Sequence, residues 1–175
     1  LLFYILLLFL GVNPWLAIFG TLAFAYTTNN MVLLNAGHNT KIMTIEEKIA
    51  SLGYTLPEAP APAGSYVNCV RSGNQLFLAG GIPPLDDDTF LGKVPTHTSV
   101  ETAQEAARLI TLNRLAVVKA EIGDLEKIVR IVNVGGFVNS EPDFYQHPAV
   151  INGCSDLLVE IFGDKGIHSR TAMGA

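Results

Sequence analysis

The sequence predicts an α+β domain, a sheet with two helices packed on one of its faces, and three observations predict it. Two short alternating apolar segments are joined by a turn signal. Two separate stretches carry apolar residues at helical spacing. Each helical stretch is followed by a strand-like segment, so the order is β-β-α-β-α-β, and each helix must lay its apolar stripe on a sheet. The chain has 175 residues, enough for one such domain with a sizeable core but hardly for two.

Charge divides the chain before any element is considered. Residues 1–40 hold no Lys, Arg, Asp or Glu, so all 11 basic and 16 acidic residues lie from Lys41 onward. The first 26 residues, LLFYILLLFLGVNPWLAIFGTLAFAY, are interrupted only by Gly11, Asn13, Pro14, Gly20 and Thr21. An apolar run of roughly 20 residues is long enough to cross a bilayer. The division is therefore an apolar N-terminal extension, 1–42, and a domain, 43–175. Two readings of the extension stand side by side: a transmembrane anchor tethering a cytoplasmic domain to a membrane through residues 1–26, or sequence upstream of a natural start at Met43. A signal peptide fits less well, because no basic residue precedes the apolar run.

Within the domain, IEEKIASLGY forms a short helix ended at Gly53, and TLPEAPAPAG must be an extended connection because its prolines fix the backbone and lack donors. YVNCVRSGNQLFLAG reads as a hairpin. Val67, Cys69, Leu76 and Leu78 alternate with their neighbours, and Ser72-Gly73-Asn74 supplies the turn. LDDDTFLGKVPTHT reads as a solvated loop; Asp86, Asp87 and Asp88 are consecutive, whereas a calcium loop needs alternating ligands, so no metal is expected. From Ser99, an N-cap candidate, to Ile122 the pattern is helical, with Ala103, Ala106, Ala107, Ile110, Val117 and Val118 on one face and Glu101, Glu105, Arg108 and Lys119 opposite. Arg114 falls toward the apolar stripe and reads as a snorkelling or interface residue.

Gly123-Asp124 ends that helix. LEKIVRIVNVGGFVN follows as a long β-branched strand, its near-continuous apolar character predicting burial on both faces, with Gly135-Gly136 marking a bulge or a close approach. A second long helix starts near His147-Pro148, buries Val150, Cys154, Leu157, Leu158 and Ile161, and stops at Gly163. HSRTAMGA is the closing strand.

Standard catalytic constellations are missing. There is no G-x-S-x-G elbow and no H-E-x-x-H pair, and His38, His97, His147 and His168 lie in loop-like sequence, where surface positions are expected. Cys69 and Cys154 have neither CxxC nor Cys-His spacing and read as buried, inert thiols. A net charge of -5 with no basic run disfavours nucleic acid as a partner. No cofactor is expected.

The succession of Gly64-x-Tyr66 before an apolar strand, a strand ending in AGGIPP, an Ala-rich helix running through NRLAVVKAEIGDLEKIVRI, a later helix and a terminal x-S-R-T-A strand resembles the RidA (YjgF) family. The likeness spans residues 44–175 and is closest to the branch with a longer helix-to-strand connection. No single motif is specific; their order and spacing are. The resemblance implies a chorismate-mutase-like fold, a homotrimer with clefts between subunits, and hydrolysis of small carboxylated imines or enamines to keto acids and ammonia. It also implies site roles: Arg170 as the substrate-binding, catalytic arginine, Tyr66 as the cleft tyrosine, and Gly80 as the strand-end glycine lining the pocket. Asn113 matches a structural asparagine. The bland reading of Arg170 is a surface or trimer salt bridge. The chain departs from well-studied members at Ala79-Gly80-Gly81, where they have Ser-Gly-Gln, and at His168, where they have Pro. It also ends before the family's last strand, which carries a water-orienting glutamate, and so reads as truncated there. The alternative function is a non-catalytic trimer that binds a small metabolite in the same cleft.

Overall fold

Thr44 opens the first helix with a reciprocal cap: its hydroxyl accepts from Glu47 N, and the Glu47 carboxylate accepts from Thr44 N. Helix α1 spans Ile45–Ser51, and Gly53, at φ +85°, turns the chain out of it. The computed structural model describes residues 43–84 and 88–175, and residues 44–175 form one compact unit. The membrane reading is corrected here. No helix among the described residues is long and apolar enough to cross a membrane, while residues 1–26, which carried that expectation, lie outside the described residues. Asp86 and Asp87 do too.

Strands β1, Cys69–Ser72, and β2, Gln75–Leu78, form the expected antiparallel hairpin with Ser72 paired to Gln75. Gly73 takes φ +58° and Asn74 does not go positive, the pattern of a two-residue turn with glycine at its first position. Of the expected inward set, Leu76 packs against the core and Cys69 is half-buried, whereas Val67 and Leu78 stay exposed.

Helix α2, Val100–Ile122, starts where the sequence places it, with Ser99 Oγ accepting from Thr102 N at 3.1 Å, and ends at Gly123 with φ +80°. Its buried stripe contains the predicted alanines and valines plus Thr111, Leu112, Leu115 and Ala116, so it is broader than expected; Ile110 is only half-buried. The polar arc is not simply solvated. Lys119 pairs with Glu46 of α1 at 2.9 Å, and Tyr54 donates to Glu105 at 3.3 Å.

The segment after α2 differs from the expected long strand. Asp124 caps a single 3-10 turn, Leu125–Lys127, and only Asn133–Val138 forms strand β3. Val129 and Val132 are 83% and 64% exposed. Burial alternates along β3, with Gly136 and Val138 inside and Gly135 and Phe137 outside, so one face is covered instead of two. Gly135-Gly136 is not a bulge, because pairing with β4 runs unbroken; Gly136 is the close approach, its missing Cβ occupied by the Ile151 side chain.

Helix α3, His147–Phe162, carries Pro in its first turn and buries Val150, Ile151, Leu157, Leu158, Ile161 and Phe162. It crosses α2 where Gly153 meets the Gln104 carbonyl. Strand β4, Ser169–Gly174, lies parallel to β3. The described residues thus hold three α-helices and two small sheets, β1-β2 and β3-β4, where the sequence predicts a single sheet. The main core joins Ile49 of α1, Leu112, Leu115 and Val118 of α2, Leu125, and Leu157, Leu158, Ile161 and Phe162 of α3.

Candidate functional site

Register places Arg170. It is paired with Val134, while Ala172 pairs with Gly136 and Gly174 with Val138, so these residues of β4 share the helix-covered side of the sheet. From there the guanidinium reaches α3. Its Nη1 donates to Asn152 Oδ1 at 2.7 Å and to Ser155 Oγ at 3.2 Å. Asn152 and Ser155 stand three apart on one helix face, the spacing that lets both meet one partner. Among the described residues no carboxylate pairs with Arg170, and the residue is exposed. Within one chain, the described residues give Arg170 no salt bridge.

His168 completes the cluster. Its Nδ1 lies 2.6 Å from Gly166 O and its Nε2 3.0 Å from Ser155 Oγ. The free surface histidine expected at this position is instead half-buried and bonded through both ring nitrogens. Cys154, next to Ser155 on α3, is half-buried; burial pushes its thiol pKa up, against smaller opposing effects from a Thr111 hydrogen bond and the Arg170 charge. Burial and the Glu121 carboxylate push the Cys69 thiol up as well.

The other two predicted site residues lie at the ends of the hairpin. Tyr66 is exposed, and its hydroxyl accepts from Ala63 N at 3.3 Å, leaving its own proton available. Gly80 follows β2, with open space where a Cβ would stand. Its carbonyl and that of Ala79 each accept from Arg114 Nη1 at 3.3 Å. Arg114 is thus neither a plain snorkelling side chain nor a free one: it braces the strand end, and its buried Nε has no partner among the described residues. No hydrogen bond among the described residues joins Arg170 to Tyr66 or Gly80.

A second polar feature is an open hollow of about 400 Å³ at the end of β4, lined by Ser140, Glu141, Phe144, His147 and Gly174 among others. His147 Nε2 lies 3.0 Å from Ser140 Oγ, and the imidazole stands edge-on to Phe144 at 5.3 Å between centroids. His147 is therefore half-buried, unlike the surface residue expected. Gly174 allows the approach, since a Cβ there would come within 2.8 Å of His147 Nε2. Among the described residues no three His, Cys, Asp or Glu side chains converge as a metal site.

The model of a family described as "YjgF/chorismate_mutase-like, putative endoribonuclease" matches residues 46–174. The chain belongs to this YjgF family. "Protein TCP17" of Trypanosoma cruzi is 38% identical to it over 132 residues, covering 74% of this chain and 82% of the relative. Among solved structures, the Agrobacterium tumefaciens protein Atu1372, described as of unknown function, is 40% identical with a TM-score of 0.68, covering 75% of this chain and 81% of its own. A protein from Shewanella oneidensis, described as a "putative endoribonuclease", is 34% identical with a TM-score of 0.71, covering 75% and 88%. YjgF proteins are commonly oligomeric.

Three members of the Arg170 cluster escaped sequence reasoning. Asn152 and Ser155 were detectable in principle, as polar residues three apart on a helix that is otherwise apolar toward the sheet. His168 stood out only as a departure from the family pattern. Its bond to Ser155 depends on how the turn after α3 folds back, which spacing does not encode.

Proposed function

We propose that this chain is a RidA-type hydrolase of small carboxylated imines and enamines, with Arg170 as the clamp for the substrate carboxylate. One observation carries the reading: the Arg170 guanidinium is exposed, and it is held by the neutral acceptors Asn152 and Ser155 instead of by an acid. Neutral partners fix the fork without cancelling its charge. Because both grip Nη1, the Nε and Nη2 donors remain for a carboxylate, which a planar guanidinium binds through two parallel hydrogen bonds.

The chemistry needs no covalent nucleophile. An imine carbon is already electrophilic, so a held water adds to it, the nitrogen takes a proton, and the resulting carbinolamine expels ammonia as its C–O bond becomes a carbonyl. Tyr66 is proposed to donate its phenolic proton to the ligand, and Gly80 to leave room for it. Ala79 and Gly81 offer no hydroxyl or amide where other members have Ser and Gln. Backbone groups and water must therefore serve there. The pocket is proposed to form between subunits of a homotrimer, in keeping with the separation of Arg170 from the hairpin in the hydrogen-bond network and with apolar side chains left on the open face of each small sheet, Val70 and Phe77 on one, Phe137 and Met173 on the other. The ribonuclease named for relatives has less support here, since a net charge of -5 gives phosphates little to bind.

Release of keto acid and ammonia from imino acids generated in situ tests the reading. Arg170→Lys keeps the charge and loses the paired donors, so kcat/KM is expected to fall about 10- to 100-fold with an unchanged melting temperature. Equal rates for the two proteins would remove Arg170 from the mechanism. A wild-type chain that binds 2-keto acids without turnover would instead establish the non-catalytic binding reading.

A further inference from the structure

Resting on the reading of Arg170 as a carboxylate clamp, we propose that His168 is a positioning residue, which aims the guanidinium by fixing the hydroxyl of Ser155. With a neutral imidazole the hydrogen bonds have only one consistent direction. Gly166 O is a carbonyl and can only accept, so His168 Nδ1, at 2.6 Å, must carry the proton and donate. In a neutral ring Nε2 is then an acceptor. Ser155 Oγ, 3.0 Å away, gives its single proton to Nε2, which turns its lone pairs toward Arg170 Nη1 at 3.2 Å. The result is a directed chain from Arg170 through Ser155 and His168 to a backbone carbonyl.

Without the imidazole acceptor, the Ser155 proton is free to rotate toward the guanidinium, where it opposes the Arg170 bond. Asn152 alone would then hold Nη1, and a single acceptor leaves the fork free to swing about that contact. Each link sits on a different element: β4 supplies Arg170, α3 supplies Asn152 and Ser155, and the turn between them supplies Gly166 and His168. The cluster thus couples the angle of the clamp to the packing of α3 against β4. His168 does not touch the ligand in this scheme; it acts through Ser155.

The test uses the full chain and has two independent arms. In the first, ¹⁵N NMR at about pH 8, where an ordinary imidazole is neutral, is expected to find His168 as the Nδ1–H tautomer. It is also expected to find the Arg170 Nε–H signal sharp in the wild type and broadened by exchange in Ser155→Ala and His168→Asn. An Nε2–H tautomer, or an Arg170 signal unmoved by both substitutions, would overturn the proposal whatever the protein binds. The second arm titrates pyruvate as the carboxylate probe. Gln at 168 can place an acceptor near the position of Nε2, whereas Asn can place a donor near that of Nδ1. The relay therefore expects His168→Gln to bind nearly as the wild type, and His168→Asn and Ser155→Ala each to bind about tenfold more weakly, with no further loss when combined. Full affinity in His168→Asn with a loss in His168→Gln would mean that the ring only props the turn, and the proposal fails. An Arg170→Lys protein that binds pyruvate like the wild type would instead sink the clamp reading, leaving the NMR arm to decide the relay.

Discussion

Gly153 and Gly80 are both glycines near functional side chains, and the structure gives them opposite tolerances. A Cβ on Gly153 would run into the Gln104 carbonyl where α3 crosses α2, whereas one on Gly80 meets nothing within 4 Å. Gly153→Ala is therefore expected to cost about 1–3 kcal/mol through overpacking, read as a lowered urea midpoint. Gly80→Ala is expected to keep full stability and to lose turnover, because the added methyl enters space proposed for the ligand. If Gly80→Ala turns over normally, Gly80 does not line the pocket. Cys154 gives a pH prediction at the same scale. Its folded-state thiol pKa is raised by burial, so the folded protein holds that proton more tightly than the unfolded chain does. The stability effect is nil below the ordinary thiol value. As pH rises through and beyond that value the unfolded chain ionises first and stability falls. Urea midpoints measured across the alkaline range should therefore decline more gently in Cys154→Ala than in the wild type, and iodoacetamide should label the folded thiol slowly.

The helices show how much an element owes to its own sequence. Ser99 and Gly123 bound α2 as predicted, because a cap hydroxyl and a left-handed glycine act within a few residues. Replacing Ser99 by Ala removes an acceptor from the open N–H of Thr102 and is expected to cost about 1 kcal/mol, seen as a small fall in melting temperature without change in the fold. The stripes of α2 and α3 were legible for the same reason, since helical periodicity is local. Strand β3 was not. Residues 125–132 carry the β-branched composition of a strand, yet Asp124 caps a turn there and Ser169 reaches Val132 at the start of the β4 pairing. Where a strand begins is set by its partner, and β4 lies more than 30 positions later in the sequence. Length alone does not make a membrane span: α2 has 23 residues, yet its polar arc carries charges engaged with α1 and with the Tyr54 hydroxyl, and no helix among the described residues is long and apolar enough to cross a membrane.

For the whole molecule, the open faces of the two small sheets are the informative surface. Phe137 is 72% exposed beside Met173 at 44%, and Val70 and Phe77 are likewise paired and exposed. Apolar pairs of this kind on the uncovered side of a sheet are suited to burial against another copy, and YjgF proteins are commonly oligomeric. Phe137→Asp should therefore shift the sedimentation coefficient toward the monomer; an unchanged assembly would remove this face from the interface. The sequence by itself determined the order of elements, the helix ends, the hairpin turn and the family, because caps, turns and periodicity act over a few residues and a family is read from motifs in sequence. It also marked Arg170, Tyr66 and Gly80, but only by resemblance. Tertiary structure alone decided what Arg170 touches, that β3 is covered on one face, and that His168 and Ser155 stand behind the guanidinium. Those facts depend on β4 docking alongside β3 beneath α3, a pairing between segments distant in the chain, and no local rule fixes which side chains such a pairing brings together.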